Sequence, residues 1–299
     1  IMKKQLLINS TTFLSQKKSF RMTAFAVLTF LTVQSSFGQT WVGATSADFS
    51  DGTNWSAVPT FTSVDIFAIN AVVAPNNNPV LNAAVTCATI STKVGSIFTT
   101  NADFTTGVGT NVVEGTVNVN AGTWNIPKLY IGNGTGGAGV LNVATGGTLS
   151  GTGVWRLGSS TVSGTHYLNI NNGGILKTAS TSDFGIGFTS SRKGVLTLNT
   201  GGLAQINGIF TISTTAGNGT INVAGGSLEY NPVNLNVNAG VINITAGSFK
   251  LLNAAPTINA TLFTVLLTFK LILPLNQRCV STTLNNSPVC MFVCHIDKC

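Results

Sequence analysis

The chain has 299 residues, of which 33 are glycine and only 8% are charged, with a formal net charge of +7; such a composition favours short strands and tight turns over long helices. The excess charge sits at the ends: Lys3, Lys4, Lys17, Lys18 and Arg21 precede residue 22, whereas seven bases and seven acids balance between residues 39 and 260. A basic nucleic-acid footprint is therefore excluded from the body, and no nucleic-acid partner is expected.

In chain order, residues 1–38 read as a signal peptide. The run MTAFAVLTFLTVQSSFG (22–38) follows a basic stretch and ends in small residues, the pattern of a cleaved leader. Its apolar part, about a dozen residues, is short of the roughly 20 that span a bilayer. The expected location is secreted or on the outer cell surface, with no stable membrane span in the body. Residues 39–115 read as an N-terminal cap followed by early, irregular coils. Within the cap, Trp41 and Trp55 are expected to pack, and Asp48 and Asp51 to shape a polar turn.

Residues 116–255 carry an internal repeat. Its copies are TVNVNAGTWN (116–125), VLNVATGGTLS (140–150), YLNINNGGILK (167–177), VLTLNTGGLAQ (195–205), TINVAGGSLE (220–229) and VINITAGSFK (241–250). The second small residue of each turn is Gly122, Gly147, Gly174, Gly202, Gly226 and Gly247, at spacings of 25, 27, 28, 24 and 21 residues. A period in the twenties with strand-like content is that of a solenoid, in which each coil leaves an apolar face exposed until the next stacks on it. Before each turn an apolar pair flanks Asn118, Asn142, Asn169, Thr197, Asn222 or Asn243. Because side chains alternate across a strand, the pair points in and the Asn or Thr points out, where stacked Asn residues form a hydrogen-bonded ladder.

Two positions past the turn glycine stand Trp124, Leu149, Leu176, Ala204, Leu228 and Phe249, expected to point inward. A further strand opens each coil at LYIG (129–132), WRLG (155–158), FGIG (184–187), FTIS (210–213) and LNVN (235–238). Three short strands per coil give the fold class: all-β, a single-stranded parallel β-helix. The Gly-Gly pair serves the corner, where a positive φ costs glycine nothing. Length variation falls in the loop after the opening strand, which marks one edge of the solenoid as the loop-bearing side.

The opening W-V-G, N-W-S and V-P-T with D-I-F-A-I, continued through YIGNGTGGAG and LNVATGGTL, resembles secreted bacterial β-helix surface proteins of the autotransporter-passenger and pectin-lyase-like type, over residues 40–255. The resemblance implies a parallel β-helix and an exported, envelope-associated location. It implies no activity, since such solenoids serve as adhesins, as stalks and, less often, as polysaccharide-cleaving enzymes.

Residues 256–299 break the pattern with an apolar run followed by Cys279, Cys290, Cys294, His295 and Cys299. Read as a genuine tail, these are a short anchor and a set of metal ligands. No CxxC pair is present, however, and the spacing fits no familiar zinc site. The preferred expectation is a shifted reading frame or a truncated gene. Cys87 stands alone in the body, which is no disulfide scaffold.

The chemistry-bearing residues are few. Glycoside hydrolysis usually needs two carboxyl groups about 5 to 9.5 Å apart, and between residues 115 and 228 the only acid is Asp183. Glu229 lies about two coils on and at another position around the section. Arg156 and Asp183 share an offset from their turn glycines and are expected to pair at the surface across adjacent coils. A calcium-binding nonapeptide begins at Gly136 but lacks its Asp, Leu141 standing in that place. No catalytic, metal or cofactor site is expected, and no cofactor. His166 and Lys193 share an offset and, with Arg192, form a candidate partner-binding spot on the loop edge. The structural repeat residues are Asn118, Asn142, Asn169, Asn222 and Asn243 with Gly147, Gly174, Gly202 and Gly226. The expected function is a non-enzymatic extracellular or cell-surface scaffold, adhesin-like, meeting glycans or envelope components through its loop edge. The alternative is a carbohydrate-active β-helix enzyme, a polysaccharide lyase or glycoside hydrolase.

Overall fold

A computed structural model describes residues 38–252 and 257–260, apart from 135–136, 160–163, 189–191, 214–217 and 238–239; for 232–237, 251 and 257–260 it describes the backbone alone. The leader, the cysteine-bearing tail and the side chains of Leu235 and Val237 lie outside the described residues. The described chain is a parallel β-solenoid of about eight turns, with one 3-10 turn, Gly52–Asn54, as its helical content.

Each coil contributes three strands, and every strand pairs in parallel with its counterpart one coil away. The first sheet starts with Gln39–Thr40 and Ile66–Ile69 and continues through Thr89–Thr92, Asn111–Val113, Leu129–Ile131, Val154–Leu157 and Asp183–Ile186. The second runs through Val80–Leu81, Ile97–Thr100, Thr116–Val119, Val140–Val143, Gly164–Ile170 and Arg192–Asn199. The third runs through Val85–Cys87, Phe104–Thr106, Gly122–Asn125, Gly147–Gly151 and Ile175–Thr178. Towards the C-terminal end the corners close up. Strand Leu203–Ile212 serves the third sheet and then the first of the next coil, and Gly219–Val237 serves all three.

The repeat columns lie where alternation places them. Leu141, Leu168, Leu196, Ile221 and Ile242 stack in the interior, as do Trp124, Leu149, Leu176, Ala204, Leu228 and Phe249. The coils before residue 116 stack in the same three sheets, with different letters. In Ile97–Thr100, Phe98 and Thr100 point inward and Thr99 takes the place of the Asn. The N-terminal end is closed by aromatic packing: Trp41, Phe49 and Trp55 are buried, and the Phe49 ring centre lies 5.1 Å from that of Phe98 in the second coil. Trp55 donates from Nε1 to the Phe49 carbonyl at 2.9 Å and Trp41 to the Asn77 carbonyl at 2.7 Å, so both are cap packing. Asp51 caps the 3-10 turn by accepting from the Thr53 N–H at 2.9 Å, and Asp48 accepts from the Ser50 N–H at 2.9 Å.

The two glycines of the turn do different work. The first, as in Gly146, Gly173, Gly201 and Gly225, has φ between 71° and 105°, the left-handed region where a side chain is disfavoured. In these Gly-Gly turns the second is not left-handed, whereas Gly122 and Gly247, which follow an alanine, take the left-handed conformation themselves, with φ of 72° and 94°. The second of the pair is glycine because the previous coil passes too close: a Cβ on Gly174 would lie 2.4 Å from the Val143 carbonyl oxygen. That obstacle is backbone and cannot rotate away. Gly174→Ala is therefore expected to lower the unfolding free energy by roughly 1–3 kcal/mol, the cost of overpacking. Chemical denaturation checks this, and an unchanged midpoint would refute the close-approach account.

Candidate functional site

The loop edge, between first and second sheets, is built from segments of uneven length. Where each loop returns to the second sheet the strands keep a glycine, at Gly115, Gly139, Gly194 and Gly219, which share one register column. The space is tight there: a Cβ on Gly194 would lie 2.3 Å from the Leu157 carbonyl oxygen. His166 occupies this column, paired with Gly194. Its ring fills the corner beside Gly132, whose added Cβ would sit 2.1 Å from Nδ1.

His166 is wholly buried and Arg192 is 1% exposed. The Gly139 N–H donates to His166 Nδ1 at 2.9 Å, and Arg192 Nη1 lies 2.9 Å from Nε2. Arg192 Nη2 donates to the Gly134 carbonyl. Against Gly134 also stands the buried carboxylate of Glu114, 1.3 Å from where a Cβ would be. Lys93 approaches that carboxylate at 3.9 Å from a half-exposed position. Side chains from four coils thus converge on the loop after Ile131 and clamp it. Lys193 is paired with Thr165 and is exposed. Of the three candidate loop-edge residues, then, Lys193 alone faces solvent, while His166 and Arg192 face into the clamp.

Both contacts to the imidazole ask a ring nitrogen to accept, and a neutral imidazole has one acceptor nitrogen. No room is left for an added proton. Burial, and secondarily the Arg192 charge, push the His166 pKa down to about 4. Burial also lowers the Arg192 pKa, with Glu114 pulling it back. The clamp is a structural device with no open ring nitrogen for a substrate.

Two further ion pairs lie on the sheets, Arg156 with Asp183 and Lys250 with Glu229. Arg156 Nη2 donates to Asp183 Oδ2 at 2.5 Å and its Nη1 to the Asp183 carbonyl at 2.7 Å, while the guanidinium lies 4.1 Å from the Phe188 ring centre. The ion pair forms as expected, but Arg156 is 9% exposed rather than on the open surface, because the adjacent Gly185 leaves it room to lie flat. Glu229 accepts from Gln205 Nε2 at 3.0 Å and from Lys250 Nζ at 3.1 Å, bonds that hold its carboxyl below the usual range. Asp183 belongs to the first sheet and Glu229 to the third. A general acid needs a raised pKa, and the hydrogen bonds to Glu229 act in the opposite sense.

The outer face of the second sheet carries the amide ladder. Asn142 Nδ2 donates to Asn118 Oδ1 at 2.9 Å, Asn169 Nδ2 to Asn142 Oδ1 at 2.9 Å, and Asn243 Nδ2 to Asn222 Oδ1 at 3.0 Å. A second short ladder joins Asn199 to Asn171 at 2.8 Å. Among the described residues no group of three His, Cys, Asp or Glu side chains is placed to hold a metal ion, and no helix is long and apolar enough to cross a membrane. Compared with protein families, curated proteins and solved structures, the chain matches none.

Sequence reasoning missed Glu114, Lys93 and Gly134 as members of the clamp. The available signal was the single His in a column otherwise held by glycine, visible only once the true register is known. The clamp makes stability depend on pH with a definite sign. Unfolded His takes a proton near pH 6.5 and folded His166 only near 4, so the unfolded state binds more protons between these values and stability falls as pH drops through that window. The loss is on the order of 3 kcal/mol, about 1.4 kcal/mol per pKa unit. Denaturation midpoints of the wild type and His166→Gln, measured from pH 7 to pH 4, check this: the difference between them should shrink as pH falls, and a constant difference would refute it.

Proposed function

We propose that the chain is a non-enzymatic extracellular or cell-surface scaffold, adhesin-like, of the bacterial β-helix surface-protein type, whose partners are glycans or other envelope components. The observation that carries this reading is the outer face of the second sheet. Its columns of Thr99, Asn118, Asn142, Asn169, Thr197, Asn222 and Asn243 beside Thr116, Val140, Tyr167, Val195 and Thr220 hold no charge over seven coils. A long, uncharged surface of amides and hydroxyls suits polyhydroxyl partners, which both donate and accept hydrogen bonds. The pairing of Asp183 with Arg156, and of Glu229 with Gln205 and Lys250, supports the same reading, because it engages the carboxylates that a hydrolase or lyase would require. The leader-like residues 22–38 support export.

The full chain is expected to be retained on a glycan array without releasing new reducing ends or unsaturated sugars from the polysaccharides it binds. Cleavage that disappears on Asp183→Asn or Lys193→Ala would overturn the scaffold reading in favour of an enzyme.

A further inference from the structure

The amide ladder is interrupted where Thr stands in the Asn column, at Thr99 and at Thr197. Thr197 stands between Asn169 and Asn222 in register, and its shorter side chain bridges neither. Asn169 uses Nδ2 on Asn142, and Asn222 uses Oδ1 for Asn243. Among the described residues this leaves the Asn169 Oδ1 acceptor, the Thr197 hydroxyl and the Asn222 Nδ2 donor without a protein partner, on three successive strands about 4.8 Å apart. Two residues earlier on the same strands, on the same face, stand Tyr167, Val195 and Thr220. Tyr167 is 37% exposed, and among the described residues neither an aromatic ring nor a cation covers it. At Thr99, the other interruption of the column, the Thr99 hydroxyl and the Asn118 Nδ2 donor are likewise without a partner among the described residues, but the neighbouring column there holds Ile97 and Thr116. The Thr197 gap is the one that stands beside an aromatic side chain.

We infer that this gap is a carbohydrate subsite, taking one sugar unit of an uncharged glycan that lies along the solenoid axis. The inference rests on the adhesin-like reading and moves its contact from the loop edge to the second sheet. A sugar hydroxyl is both donor and acceptor, so adjacent hydroxyls supply the missing rung: one donates to Asn169 Oδ1, another accepts from Asn222 Nδ2, and Thr197 exchanges a hydrogen bond with either. Tyr167 and Val195 supply the apolar platform for the C–H face of the ring, with an amphipathic aromatic at its edge. The patch has a single charge at its rim, the exposed Lys193 on the strand of Val195 and Thr197. A neutral polymer therefore loses little on docking, whereas an anionic one finds no matched row of cations. The groups left open point out of the sheet face, which favours a polyhydroxyl chain over the edge of a second copy.

The test is affinity electrophoresis of the full chain in gels containing dextran, laminarin, hydroxyethylcellulose or polygalacturonate. The decisive variant is Thr197→Asn, which completes the ladder. It should raise or preserve the melting temperature while weakening retention on the bound neutral polysaccharide about tenfold, the scale of one or two lost hydrogen bonds. Tyr167→Ala should weaken retention at least as much, and Lys193→Ala by less than about twofold. Retention unaffected by Thr197→Asn and Tyr167→Ala, but lost in Lys193→Ala, would overturn this subsite and leave the adhesin-like reading standing. Retention on polygalacturonate alone would overturn the neutral-glycan assignment. No retention on any of the four would overturn the subsite and remove the glycan partner from the functional reading. Self-association in sedimentation, lost on Tyr167→Ala, would assign the face to a second copy instead.

Discussion

Everything in this molecule depends on parallel, in-register stacking at about 4.8 Å per coil. Each strand satisfies its backbone on the coil before and the coil after, so a side chain's neighbours are the residues at the same position in adjacent coils. Like is therefore forced to sit on like. Leucine on leucine makes a core, and asparagine on asparagine makes a ladder in which each amide donates to the one before it. A charge on a like charge would be unfavourable, which is the physical reason that such a chain is only 8% charged. Two of the charges on the faces meet an opposite charge one coil away: Lys250 meets Glu229, and Arg156 meets Asp183.

The same constraint explains the corners. Three sheets can close around one core only if the chain turns sharply, and the coils approach so closely there that a Cβ at the second turn glycine would strike a carbonyl. The corner between the first and second sheets escapes that limit by looping outward. A loop of variable length cannot be held by strand pairing, so it is held by side chains. Arg192 and Glu114, from different coils, both reach Gly134, and His166 fills the space beside Gly132 that the glycine column would otherwise leave empty. Burying these groups is costly, and each is compensated by a backbone or side-chain partner contributed from another coil.

How much of the fold and the site was legible in the sequence is set by the same geometry. The columns from residue 116 onward were readable because their letters repeat, and the inward residues and the Asn ladder stand where alternation places them. The coils before residue 116 obey the same geometry with Thr99 for Asn and Thr100 for the second apolar residue, substitutions that fit the lattice and erase the pattern. Counting from turn glycines failed where corners differ in length. Thr178 to Asp183 contains two more residues than Gly151 to Val154, so Asp183 registers with Val154 and not with Arg156, although the two side chains still meet diagonally. The next loop along the chain is one residue shorter, which sets His166 opposite Gly194 rather than Lys193. That shift of one position turns a solvated loop histidine into a buried one, since alternate residues of a strand face opposite ways. The clamp was illegible because it joins residues from four coils through a loop whose path no periodicity records.

Function in a lattice of this kind belongs to its exceptions. A rung that matches its neighbours has already given its hydrogen bonds to them and has little left for a ligand. A residue that departs from its column releases bonding capacity on the rungs above and below as well as its own. The direction in which the departing side chain faces decides how that capacity is used. His166 departs inward, and the capacity it brings is used at the loop edge, where its Nδ1 accepts from the Gly139 N–H. Thr197 departs outward, where the Asn169 acceptor and the Asn222 donor it leaves behind open onto solvent beside Tyr167. The inward irregularity therefore holds the rod together, and the outward one is where the proposed glycan contact would find hydrogen-bonding groups that the ladder has not used.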